Sequence, residues 1–209
     1  MARKRTRLGL ITTMTLVLVA LGLLTGPAHA ASVSGATGLI YVPSADTLAA
    51  REAEISVRYL DGRLSSSFMY GVFDQIEIGV NNIRANGDTS DLGIVLKGTA
   101  VQETAESPAI AVGFETGQGY VVASKRLAPW LRGHVGFGYG DLDGLFAGVS
   151  LVVNTTSGGG NPATTVLAEY TPKGLNAGVR MVFSPLISVD VALIDLKELS
   201  AGVALRTRF

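Results

Sequence analysis

The chain has no cysteine, which excludes disulfide scaffolds, thiolate metal centres, cysteine nucleophiles and lipid attachment through a cysteine. Charge is scarce, at 16% of residues, and so is histidine, with two in 209 residues. Beyond Ala31 no apolar run approaches the ~18 residues that a spanning helix needs. A basic excess is missing as well. The formal net charge is zero, and four of the 17 basic side chains (Arg3, Lys4, Arg5 and Arg7) lie in the first 30 residues. The remainder carries 13 basic against 17 acidic groups, so no nucleic-acid partner is expected. What is abundant is glycine, with 26 residues, in a chain that is 47% hydrophobic. That mixture is too apolar for disorder and too glycine-rich for a helical bundle. One folded domain is the expectation at this length.

Residues 1–30 read as a secretory signal peptide. Arg3 to Arg7 form its basic region and Leu8 to Leu24 its apolar stretch. Gly26-Pro27 then breaks the helix, and Ala28-His29-Ala30 offers small residues for cleavage before Ala31. No arginine pair is present, which points to the general secretory route. The expected layout is a signal peptide over 1–30, an N-terminal segment over 31–52 that acts as a plug or an edge strand, and a β-domain over 53–209.

From Ala53 onward the hydrophobic period is two. Ala53, Ile55, Val57 and Tyr59 alternate with Glu54, Ser56 and Arg58. Ile76, Ile78 and Val80 alternate with Glu77, Gly79 and Asn81. Leu175, Ala177, Val179, Met181 and Phe183 alternate with Asn176, Gly178, Arg180 and Ser184. Turn signals such as Asp61-Gly62, Asn86-Gly87, Ala128-Pro129, Asp143-Gly144 and Ser184-Pro185 punctuate these runs. Together they predict about twelve strands of about ten residues, an all-β chain. A soluble sandwich or lipocalin-like barrel would bury the apolar face, whereas a membrane barrel turns it to lipid and fills its lumen with polar groups. The polar face decides between them, because it mixes both charge signs with Gly71, Gly79, Gly93, Gly113, Gly136, Gly138, Gly148, Gly178 and Gly202. Glycine weakens a solvent-facing strand but suits the crowded inside of a barrel. The prediction is a closed antiparallel transmembrane β-barrel with both termini on the periplasmic rim. One feature disagrees with that layout: hairpin counting puts the long loop Asn154 to Pro162 on the rim where turns are usually short.

The lumen is expected to hold a charge network built from Arg58, Glu77, Lys97, Arg132, Glu169, Arg180, Asp190 and Arg206, since unpaired charge away from water is costly. Phe209 ends the last amphipathic strand, with Leu205, Val203 and Ala201 on the same face. It is similar to the terminal aromatic signal that the barrel-assembly machinery reads on outer-membrane barrels. Gly38 to Ala45, apolar around Leu39, Ile40, Val42 and Pro43, is expected to dock in the barrel mouth or on an edge.

Gly38-Leu39-Ile40-Tyr41-Val42-Pro43-Ser44-Ala45 and Tyr70-Gly71-Val72-Phe73-Asp74-Gln75-Ile76-Glu77-Ile78-Gly79-Val80 are followed by Pro108 to Gly113, Ala123 to Leu127, Ala168-Glu169-Tyr170 and Asn176 to Arg180. In this order the chain resembles the YjbH-like outer-membrane proteins associated with exopolysaccharide or capsule production. It has no lipid-acceptor cysteine and is much shorter than the long members. The resemblance implies an outer-membrane barrel whose partners are membrane lipid, the assembly machinery and exopolysaccharide or its export proteins.

Candidate chemistry is thin. His134 is the only histidine after the leader, and a barrel hydrolase needs a serine beside its base. Position 136, where a His-x-Ser pair would place it, is glycine. Asp141 and Asp143 read as turn formers rather than metal ligands. Gly136-Phe137-Gly138-Tyr139-Gly140 has strand parity and no helix after it, so it is not a phosphate loop. Asn154-Thr155-Thr156 matches a glycosylation acceptor without consequence in a compartment lacking the transferase, and Ser157 to Asn161 reads as a flexible loop. No catalytic residue, metal or cofactor is expected. Two functions remain: a non-enzymatic barrel serving exopolysaccharide production or export, and a small-solute channel.

Overall fold

A computed structural model of the chain describes residues 30–60, 62–84, 91–155 and 161–209. The leader over 1–29, Asp61, the Asn86-Gly87 turn and residues 157–160 of the glycine-rich loop lie outside them. The N-terminal segment carries two short strands, β1 (Ala30–Ala31) and β2 (Thr37–Gly38). Twelve long strands follow: β3 (Glu52–Leu60), β4 (Arg63–Phe73), β5 (Ile76–Arg84), β6 (Asp91–Val101), β7 (Ala109–Glu115), β8 (Gln118–Ala128), β9 (Leu131–Tyr139), β10 (Gly144–Asn154), β11 (Ala163–Thr171), β12 (Gly174–Ser184), β13 (Ile187–Ile194) and β14 (Glu198–Arg208). Each pairs antiparallel with its sequence neighbour, and β14 pairs with β3 to close the barrel.

Alternation decides which side each residue faces. Ile55, Tyr59, Leu92, Ile94, Leu145 and Leu205 point outward and are exposed, Leu92 and Leu145 to 66%. Their neighbours Glu54, Arg58, Ser65, Glu77, Lys97 and Ser124 point inward and are buried. This apolar-out, polar-in arrangement is that of a barrel whose solvent is lipid. Strands of about ten residues, tilted by about 40° and rising ~3.3 Å per residue, give a band about 25 Å tall, matching a membrane core. Outward aromatics gather at both margins, with Tyr59, Phe114, Tyr139 and Tyr170 towards one rim and Phe73, Trp130 and Phe183 towards the other.

An even strand count puts both ends of the barrel on one rim, and there the Phe209 N–H donates to the Arg51 carbonyl at 3.0 Å. The same rim carries the two longest connections, residues 102–108 and 155–162. No strand has been miscounted; this barrel places long connections beside its termini.

Lumen glycines make room for larger inward neighbours. A Cβ on Gly136 would collide with the Phe146 ring and the Val121 carbonyl, and Phe146 is 1% exposed. Overpacking of this kind costs about 1–3 kcal/mol. Gly136→Val is therefore expected to lower the temperature at which the folded barrel converts to its unfolded, slower-migrating form in detergent gels, by several degrees.

Candidate functional site

The site is the lumen, and residues 31–50 occupy it. They are the chain's neutral segment, with Asp46 as their only charged side chain. Ala31, Ala36, Leu39, Ile40, Val42 and Leu48 are all buried, at 3% exposure or less. The segment folds on itself through the β1–β2 pair and the Leu39 N–H to Val42 carbonyl bond of 2.8 Å. It touches inward side chains of strands on opposite sides of the barrel, so it is a plug and not an edge strand. Towards the far rim, away from the barrel's termini, the Ser65 hydroxyl of β4 donates to the Val33 carbonyl at 2.9 Å. At the near rim, which carries the termini, the Ala50 N–H donates to Asp74 at 2.9 Å.

Strand register brings opposite charges face to face. Glu77 stands across from Lys97, Arg180 from Asp190 and Arg206 from Glu54. The ion pairs follow these positions. Lys97 Nζ lies 3.1 Å from Glu77, with both side chains at 0% exposure. Arg180 Nε and Arg58 Nη2 each lie 2.7 Å from a different oxygen of Asp190. Arg206 meets Glu54 at 2.5 Å. Arg58 reaches Asp190 by lying over Gly202, whose missing side chain leaves the space.

The plug backbone supplies the rest of their coordination. Glu169 accepts the N–H groups of Ile40, Tyr41 and Val42 at 3.1, 2.8 and 3.0 Å, and the Asn176 amide at 2.8 Å. Glu77 accepts the Thr37 N–H, the Thr37 hydroxyl and the Leu48 N–H at 2.8, 2.6 and 2.8 Å. Arg180 donates to the Gly38 and Leu39 carbonyls at 2.8 and 2.9 Å, and Lys97 to the Thr37 carbonyl at 2.7 Å. Arg132 has acidic partners outside the expected set, Glu103 at 2.6 Å and Asp46 of the plug at 2.9 Å.

Thus Arg58, Arg180 and Asp190 come together, as do Glu77 and Lys97, whereas Glu169, Arg132 and Arg206 find partners elsewhere. The expected charge network left out Thr37, Ser124, Glu115 and Asn81. Glu115 is held by the Asn81 and Gln118 amides, and Asn81 reaches the Ser34 carbonyl at 2.7 Å. Ser124 stands directly across from His134 on the neighbouring strand, its Oγ 2.8 Å from Nδ1. No short motif could expose a pair that only register creates. The Ala45 N–H also donates to this Oγ at 2.8 Å, and Ser124 is 0% exposed. The geometry is that of a plug anchor. Among the described residues no cluster suits a metal ion, and no helix is long and apolar enough to cross a membrane.

Comparison with known proteins gives this architecture a family. The sequence model of a family described as exopolysaccharide biosynthesis protein YbjH matches residues 22–166, well over half of the chain. The chain belongs to the YjbH family. No curated protein matches it. Among solved structures it is similar to the KdgM porin, with a TM-score of 0.50 at 9% identity over 76% of this chain and 99% of that one. It is also similar to the Acinetobacter baumannii outer membrane protein Omp33, with a TM-score of 0.47 at 14% identity over 76% and 97%. The fold of this YjbH-family chain is that of an outer-membrane porin-like barrel.

Removing one member of a buried ion pair strands the other, at a cost of about 3–5 kcal/mol. Glu77→Gln is therefore expected to lower thermal stability sharply and to speed amide exchange at Thr37 and Leu48. Glu77→Gln combined with Lys97→Met should recover more than half of the lost stability, measured as the unfolding midpoint in detergent.

Proposed function

We propose that this chain is a non-enzymatic outer-membrane barrel, sealed by its own N-terminal segment, that serves exopolysaccharide production or export. The observation carrying the sealed reading is the burial of Glu77 and Lys97 in the lumen wall, both at 0% exposure beneath the plug. An open aqueous pore would leave such charges wet. The description of the matched family supports the exopolysaccharide role. The Ser124–His134 pair supports a holding role over catalysis, because the plug covers it. In this reading the barrel reaches the outer membrane by the general secretory route, and the assembly machinery recognises Phe209, which stands 78% exposed at the rim. The small-solute channel draws on the fold likeness to the KdgM porin.

Single-channel recording of the purified protein in planar bilayers separates the two. The sealed barrel is expected to be electrically silent and to begin conducting when residues 31–45 are deleted; steady conductance of the intact chain would establish the channel instead. The exopolysaccharide role is tested in cells. Deleting the gene should lower surface polysaccharide at least several-fold, with restoration by the intact gene, and unchanged polysaccharide would overturn it.

A further inference from the structure

The plug's fastenings differ in what reaches them. Glu77, Lys97 and Arg180 hold it from positions with 4% side-chain exposure or less. Asp46, the single charge of the segment, is held by Arg132, and these side chains are 19% and 16% exposed. Solvent at the near rim therefore reaches this contact while the deeper ones stay dry.

Arg132 is shared. Its Nη2 takes Asp46 of the plug at 2.9 Å, and its Nη1 takes Glu103 of the β6–β7 connection at 2.6 Å. Glu103 uses its other oxygen to accept the Arg126 N–H at 2.6 Å. The connection is itself built to stay in one shape. Lys125 donates to the carbonyls of Thr104, Ala105 and Ser107 at 2.6, 2.9 and 3.2 Å, and the Thr104 N–H bonds the Ser107 carbonyl at 3.0 Å. Beside Asp46, the Ala45 carbonyl accepts the Thr99 hydroxyl at 2.6 Å and the Ala45 N–H bonds Ser124 at 2.8 Å. The plug's exit is therefore tied to β6, β8 and β9 on one side of the mouth, beside a connection whose residues Thr104, Ala105 and Glu106 are exposed.

We propose that Arg132 is the release latch of the plug and that residues 102–108 are the lever that works it from the near rim. A displacement of Glu103 takes with it the group that fixes the Arg132 guanidinium. Arg132 then loosens on Asp46, and residues 44–47 part from the wall before the deep anchors at 40–42 and at Leu48, whose N–H is held by Glu77, give way. This rests on the sealed-barrel reading above.

The test is amide exchange on the intact barrel in detergent, with the folded band in gels checked for each variant. Asp46→Asn is expected to speed exchange across residues 44–47 about tenfold, the factor that about 1.4 kcal/mol corresponds to, while residues 40–42 and Leu48 keep their protection. Glu103→Gln, which touches no plug residue, is expected to do the same to a similar degree. If Asp46→Asn acts and Glu103→Gln does not, the lever is wrong; if neither acts, the latch is wrong. A second measurement needs no variant. Molar salt screens partly exposed pairs far more than sealed ones, so it should speed exchange at 44–47 several-fold in the wild-type barrel and leave 40–42 and Leu48 unchanged. Equal change, or none, in both segments overturns the proposal. Failure of the sealed reading has a different signature, steady conductance of the unmodified protein.

Discussion

Everything inside this barrel depends on how charge is kept where water does not reach. A wall that carries Glu77, Lys97, Glu169, Arg180 and Asp190 at 4% exposure or less cannot be stable on pairing alone, because desolvating each ion costs several kcal/mol and one partner rarely repays it. The missing coordination comes from peptide groups. Residues 37–48 turn N–H groups towards Glu77 and Glu169, and the carbonyls of Thr37, Gly38 and Leu39 towards Lys97 and Arg180. A neutral backbone serves both signs at once, which a charged plug could not do. That explains why the segment has one charge in twenty positions and sets it at the mouth, where Arg132 meets it.

The geometry needed for this is supplied by small residues on the wall. The plug leaves the lumen by passing its Leu48 and Ala49 carbonyls directly over Gly71, where any Cβ would clash. The Leu39 and Ile40 side chains lie over Gly148 and Gly178. Elsewhere the freed space admits a large neighbour, Phe146 over Gly136 or Arg58 over Gly202. Arg51, at the junction of plug and β3, holds a positive φ of 63°, unusual for a residue with a side chain. It is pinned there by the Gly71 carbonyl on one side and the Phe209 N–H on the other. Plug, closing seam and chain end thus meet at one point of the rim.

The outer wall obeys a simpler rule, apolarity with aromatic margins, and the fold is similar to that of the KdgM porin at 9% identity. The inside is governed by pairing instead. Ser124 and His134 illustrate the difference between a residue pair and a site: the two side chains sit 2.8 Å apart, yet the hydroxyl is already bonded by the plug at Ala45.

The sequence alone determined the class and the sidedness. A period of two needs no tertiary information, so the strands, the outward Ile55 and Leu145 and the inward Arg58 and Lys97 were all legible from alternation. The apolar, weakly charged character of residues 31–50 was legible too, though composition left open whether they would plug the lumen or lengthen the sheet. Pairing was not legible. Whether Glu169 meets a cation or three N–H groups depends on where a segment about 130 residues earlier comes to rest, and whether Ser124 faces His134 depends on a register that one residue of slip would undo. Only the tertiary structure decided these, because closure fixes strand register around the whole ring and with it the positions at which the plug meets Glu77, Lys97, Glu169 and Arg180.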